Sequence, residues 1–145
     1  MPEIIIRKIS ESDLENGFLE SLDNLKHASD LGQTTAKNIL NKILNDENHI
    51  IHVAEYDGKI VGSTTLLIEQ KFIHQGGFVG HIEDVVVKKE FEKLGIGMKL
   101  VNSLLQVAEE RKCYKTILNC EDNLRPFYEK IGFKKATNEM RYDHN

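Results

Sequence analysis

The stretch 81–100, HIEDVVVKKEFEKLGIGMKL, constrains this chain more than any other. An apolar run, Val85-Val86-Val87, lies between two acids and a charged turn, and Gly95 and Gly97 then open a long helical pattern. A strand that feeds a glycine-bearing loop and a helix N-terminus is an anion cradle. The first N–H groups of a helix lack partners, and the aligned peptide dipoles place about half a positive charge there. Glycine lets a phosphate approach that backbone closely. The spacing Gly95-x-Gly97 is too short for a dinucleotide GxGxxG, and Met98-Lys99 is not the Lys-Ser/Thr of a nucleotide P-loop. The stretch therefore predicts a phosphate-bearing cofactor of another kind.

Around this stretch the pattern is mixed α/β. Ile4 to Ile9 reads as a first strand, with Ser10 or Ser12-Asp13 as an N-cap. Leu14, Phe18, Leu22 and Leu25 have helical spacing, and a second helix is expected from Thr34 or Thr35 to about Asn45. His49 to Tyr56 is strand-like, Asp57-Gly58 is a hairpin turn, and Lys59 to Phe72 returns. Gln75-Gly76-Gly77 turns the chain into a strand over Phe78 to Val87. A helix follows over Gly97 to Arg111, then a strand over Lys115 to Cys120 that enters the centre of the sheet. Asn123 to Lys130 reads as a short helix with Pro126 in its first turn, ended by Gly132. Phe133 to Tyr142 reads as a last strand. The order is β-α-α-β-β-β-α-β-α-β: a mixed, mostly antiparallel sheet with one parallel pair and helices on both faces.

A length of 145 residues predicts one domain with a real core. A formal charge of −4 argues against nucleic acid as a partner, which wants a basic face. Cys113 and Cys120 do not form CxxC, and no histidine cluster completes a zinc set, so no metal is expected. Cys120 falls in an apolar run and reads as a small core residue. No apolar stretch reaches the ~18 residues that span a bilayer. The N-terminal MPEIIIRKIS is too short in apolar residues for a signal-peptide core. The expectation is a soluble, cytoplasmic protein without membrane contact.

The loop Glu92-x-x-Gly95-x-Gly97 resembles the acetyl-CoA pyrophosphate motif of the GNAT acyltransferase superfamily, usually Arg/Gln-x-x-Gly-x-Gly/Ala. The segment Phe127-Tyr128-Glu129-Lys130-x-Gly132-Phe133 resembles that superfamily's late FYEKxGF. The resemblance implies the GNAT fold and acetyl-CoA as co-substrate. Glu92 departs from the pattern and puts a carboxylate near the diphosphate. A narrower resemblance, from about Ile60 to Met140, is to the glucosamine-6-phosphate N-acetyltransferase family. It is carried by Lys71-Phe72-Ile73-His74, Gly80-His81-Ile82-Glu83-Asp84-Val85-Val86-Val87 and Cys113-Tyr114-Lys115. It implies acetyl transfer to the 2-amino group of glucosamine 6-phosphate, a step towards UDP-N-acetylglucosamine. It also implies a homodimer with each sugar site near the subunit boundary.

The resemblance also implies residue roles. Backbone groups of Val85, Val86 and Val87 would hold the pantetheine and thioester carbonyl. The amides of Leu94, Gly95, Ile96, Gly97 and Met98 would hold the diphosphate, with Glu92, Lys93 and Asn123 also on the cofactor side. Tyr128 is expected at the CoA sulfur as general acid, since a phenol with pKa near ~10 can donate to a thiolate whose acid is near ~8.5. The plainer reading is a packed aromatic beside Phe127 and Phe133. Glu83 could take the amine proton directly or through water, or hold the sugar by a hydrogen bond. Asp84 could orient neighbouring backbone or the dimer partner. Alternation sends Glu83 and Asp84 to opposite faces unless a bulge intervenes, and paired acids can also be a solvated edge. Asn119 stands where the family carries an acid that meets the amine. It cannot act as a base, but it can accept a hydrogen bond. The sugar phosphate is expected at Lys71, Phe72, Ile73, Tyr114 and Lys115. Lys26 and Arg141 are further available cations, and a lone surface lysine can also be only a solubilising charge. His74 and His81 are expected to be structural or solvent-facing. Two other functions fit the same residues: another GNAT N-acetyltransferase acting on a different small-molecule or protein amine, and a non-catalytic acyl-CoA-binding module.

Overall fold

The computed structural model describes residues 2–145. Five strands form one sheet in sequential order: β1 (Ile4–Lys8), β2 (His49–Tyr56), β3 (Lys59–Gln70), β4 (Phe78–Val87) and β5 (Cys113–Ile117). β1 to β4 are antiparallel, and β5 runs parallel to β4. The β2–β3 hairpin turns on Asp57 and Gly58, both left-handed, so its twist matches that of the strands.

Alternation splits the sheet into two buried faces. Ile51, Val53 and Ile60 pack with α1 (Phe18–Leu22) and α2 (Gln33–Leu44). Ile50, Leu66, Ile82, Ala54 and Val61 point the other way. They meet α4 (Ile96–Glu110) and α5 (Arg125–Ile131). Leu100, Val101, Leu104 and Ala108 form one stripe of α4 and are essentially sealed from solvent. Each large member of that stripe contributes roughly 1.5–3 kcal/mol on burial.

Below α1 the buried carboxylate of Asp13 receives both guanidinium nitrogens of Arg7 at 2.7 and 2.8 Å and the Ser10 amide at 2.8 Å. Burial pushes the Asp13 carboxyl up, but these hydrogen bonds outweigh it and hold it below the usual carboxylate range. Arg7 also reaches Glu55 at 2.8 Å, and its own pKa is raised by Asp13. The ion pair ties β1 to the turn that leads into α1.

Several expectations need correction. The first helix is not continuous. Glu11–Glu15 is a 3-10 turn, Gly17 is left-handed with φ of 100°, and only then does α1 begin. The break frees the Asn16 carbonyl to take the Ile60 amide at 2.9 Å, which docks the segment on the start of β3. Lys71-Phe72 falls outside β3, and Ile73–Gly76 (α3) is a kinked turn whose central His74 and Gln75 are left-handed and not α-helical. β5 ends at Ile117 and lies at the edge of the sheet, not at its centre. Phe133 to Tyr142 forms no strand. A strand exists only against a neighbouring strand, and among the described residues the segment pairs with none. Cys120, with β5 already ended, is exposed rather than in the core.

Candidate active site

The site starts from a bulge in β4. Ser63 faces Val86 and Thr65 faces Glu83, so three steps on β4 oppose two on β3. The extra residue is absorbed at Asp84, which sits at φ of 53°. Thr64, wholly buried, donates its hydroxyl to the Glu83 carbonyl at 3.3 Å. The bulge cancels the alternation that would have parted the two acids. Glu83 and Asp84 both line one cavity of about 420 Å³ under α1 and α2, beside Ser63, Thr65 and Leu67.

β4 then parts from β5. Their pairing ends at His81 and Ile117, whereas the pairing of β4 with β3 continues to Val87. The β5 side of β4 beyond His81 therefore has no ladder partner, and its backbone groups, apart from the Val87 carbonyl that Asn24 takes, can serve a ligand. The side chains of Val85, Val86 and Val87 are partly or wholly buried, so this run offers backbone rather than side chains to the gap.

Beyond β4 the chain reaches the glycine loop. Lys93 and Gly95 are left-handed, at φ of 72° and 77°, and α4 begins at Ile96. The first helical hydrogen bond runs from the Lys99 amide to the Gly95 carbonyl at 3.1 Å. The amides of Ile96, Gly97 and Met98 are left without partners inside the helix. Space around Gly95 is open, and a Cβ there would meet nothing within 4 Å. Gly97 is needed for packing, because a Cβ would come within 3.2 Å of the Phe127 ring. An open loop, free amides and a helix N-terminus fit a diphosphate. Glu92 and Leu94 are exposed beside it.

Tyr128 stands on the opposite face of the sheet from the two acids. It is 7% exposed and packs edge-on against Phe127 and Phe133, at ring distances of 4.9 and 5.9 Å. Its ring is thus the packed aromatic of the plainer reading, but its hydroxyl is not. Among the described residues that hydroxyl neither bonds to protein nor is sealed from solvent. It opens on a groove of about 820 Å³ shared with Asn119, Cys120, Arg125 and residues 131–139. Burial, then nearby Cys120, pushes the Tyr128 phenol above its ordinary value and keeps it protonated. Asn119 lines this groove and not the cavity of Glu83 and Asp84. Asn123 lies exposed in the turn before α5. Groups on the two faces can meet one reacting centre only through the gap between β4 and β5. Acids on one side and a proton-holding phenol on the other can serve two ends of a single transfer.

The expected sugar-phosphate residues gather at the far end of the sheet. Tyr114 stacks on His74 at 3.9 Å, and Lys115 lies 5.9 Å from the Tyr114 ring centre. Lys71 is held by Glu69 at 3.0 Å, and Glu69 also takes His81 at 2.9 Å. Those two partners, His81 first, hold the Glu69 carboxyl below its usual range. Phe72 is fully exposed and Ile73 is 62% exposed. This end lies five residues from Glu83 along β4, about 16 Å at strand rise. A contact absent from the sequence reading is Asn24, whose amide reaches both Val87 and Glu92 across more than sixty residues of chain. No local pattern marks it.

Comparison with known proteins places the fold in a family. Residues 13–133 match the family model described as the acetyltransferase (GNAT) family. A glucosamine 6-phosphate N-acetyltransferase of Trypanosoma brucei brucei is 36% identical over 144 residues, covering 97% of this chain and 96% of that protein. A probable glucosamine 6-phosphate N-acetyltransferase 2 of Oryza sativa subsp. japonica is 37% identical, covering 93% of this chain and 84% of that protein. The crystal structure of glucosamine-6-phosphate N-acetyltransferase from Arabidopsis thaliana superposes with a TM-score of 0.95 at 33% identity, covering 99% of each chain. The chain belongs to the acetyltransferase (GNAT) family, whose members use acetyl-CoA as co-substrate.

Proposed function

We propose that residues 1–145 form one catalytic domain that acetylates the 2-amino group of glucosamine 6-phosphate from acetyl-CoA, a step towards UDP-N-acetylglucosamine. The observation that carries this reading is the disposition of Glu83 and Asp84 on one face and Tyr128 on the other, across the gap where β4 leaves β5. The choice of acceptor rests on the relatives described above.

Acetyl-CoA supplies the activated acetyl group. The Leu94–Met98 amides hold its diphosphate, and the free edge of β4 at Val85–Val87 binds the pantetheine and thioester carbonyl. Fixed backbone donors there favour the charge that develops on that oxygen. Glu83 takes the proton of the incoming amine, directly or through water. As the amine nitrogen bonds to the acetyl carbon and the carbon–sulfur bond breaks, Tyr128 gives its proton to the sulfur. Asn119 accepts a hydrogen bond near Tyr128 and holds no proton to exchange.

We further propose a cytoplasmic homodimer. A hexose phosphate is shorter than the ~16 Å of strand between Glu83 and the Tyr114 end. A second copy can supply Lys71 to Ile73 and Tyr114-Lys115 to the sugar site of the first. Fully exposed Phe72 supports this reading, as do the open outer edge of β5 and the unpaired segment 133–142. Free Cys113 and Cys120 suit a reducing compartment.

The test is a thiol-release assay with glucosamine 6-phosphate, spermidine, an arylalkylamine and peptide N-termini. Glucosamine 6-phosphate should give the highest kcat/KM. A second reading, acetylation of a less polar amine, has one observation in its favour. The cavity beside the acids is walled mostly by apolar side chains, Leu14, Phe18, Leu22 and Ile39 among them, with His49, Ser63 and Thr65 as its other polar members. Preference for another amine in the assay replaces the first reading with this one.

A further inference from the structure

The Asn24 side-chain nitrogen lies 2.7 Å from the Val87 carbonyl and 3.1 Å from Glu92 Oε1. Both partners are acceptors, so the amide must face them with its two hydrogens, one to each. Glu92 forms no ion pair among the described residues, and Asn24 is its one side-chain hydrogen-bond partner. Asn24 follows α1 on the cavity side of the sheet, whereas Val87 and Glu92 bracket the approach to the glycine loop. One amide thus bridges the two halves of the site.

We propose that Asn24 is a positioning residue for acetyl-CoA, acting through Glu92. It fixes the Glu92 carboxylate on the rim, clear of the anion cradle formed by the Ile96 to Met98 amides, with the Val87 carbonyl as its anchor. This explains how a carboxylate is tolerated where the family motif carries Arg or Gln. A glutamate free to swing would present like charge to the diphosphate, whereas a tethered one keeps its distance. The inference rests on the reading that this loop holds the diphosphate.

The test measures CoA affinity by titration calorimetry for the full chain and for Asn24→Ala, Glu92→Gln, the double variant and Gly95→Val. Thermal melts exclude unfolding. Asn24→Ala should weaken CoA about five- to tenfold at low salt, and that ratio to wild type should shrink near ~0.5 M salt as screening removes like-charge repulsion. Glu92→Gln keeps the acceptor oxygen but not the charge. In that background, Asn24→Ala should change the Kd by less than about twofold. An unchanged Kd in Asn24→Ala, a salt-independent defect, or an equal defect in the Glu92→Gln background overturns the proposal. If Gly95→Val abolishes binding while Asn24→Ala does nothing, only the tether falls. If neither alters the Kd, the diphosphate assignment falls and takes the tether with it.

Discussion

The hydroxyl of Thr64 donates to the backbone carbonyl of Glu83 at 3.3 Å, from a position with 1% exposure. The bond steadies the carbonyl on the strand that the bulge bends, and so holds both acids over one cavity. Thr64→Val keeps the shape and removes the donor. It should cost about 1 kcal/mol in urea unfolding, the usual net worth of one hydrogen bond. It should also lower kcat about tenfold or more, because displacing a reacting group by even ~1 Å is costly.

Tyr128→Phe keeps the edge contacts with Phe127 and Phe133 and removes only the proton. Stability should hardly change, while kcat should fall by about 10²–10⁴-fold. The phenol pKa is raised, so the donor stays protonated across neutral pH. Loss of the phenol proton should therefore slow the wild type only in alkali, above the ordinary phenol value near ~10, and the variant should lack that alkaline limb. Wild-type kcat in the variant would remove Tyr128 from the chemistry.

Glu83→Gln should lower kcat at least tenfold at neutral pH and leave the Kd for CoA unmoved, because Glu83 opens on the cavity side of the sheet. Asn119→Asp should shift the pH–rate profile only if that position meets the amine. A shift there with no effect at Glu83 would transfer the base role to the Tyr128 groove.

Asp13→Asn removes the charge that Arg7 holds in a buried setting. At pH 7 it should cost about 3 kcal/mol in denaturant unfolding. The Asp13 pKa is depressed in the fold, so its contribution is complete above the ordinary carboxylate value near ~3.9. It is lost as pH falls through the lower folded value. The gap between wild type and variant should therefore narrow below about pH 4.

Deleting residues 134–145 spares Phe133, which packs on Tyr128, and removes the unpaired segment. Sedimentation should show a monomer with the melt largely retained. Residues 134–139 also wall the Tyr128 groove, so the oligomeric state, not the activity, reads the interface. A dimer would exclude this segment from the interface.

Much of this protein is local in its sequence. The apolar alternation of β2 and β3, the Asp57-Gly58 turn, the 3.6-residue stripe of α4 and the glycines before it each encode their own element over a few residues. They determined the α/β order, the two buried faces and a phosphate cradle at a helix start. The rest depended on neighbours distant in the chain. Asp84 leaves the alternating pattern because of a mismatch with β3, and the gap beside Val85–Val87 opens because β5 stops pairing at Ile117. Glu92 is held by a residue 68 positions away. The segment 133–142 carries a strand-like pattern but pairs with no strand among the described residues. Periodicity states which side of an element is apolar. Only packing decides which strands stay paired, where one bulges, and which polar groups find each other.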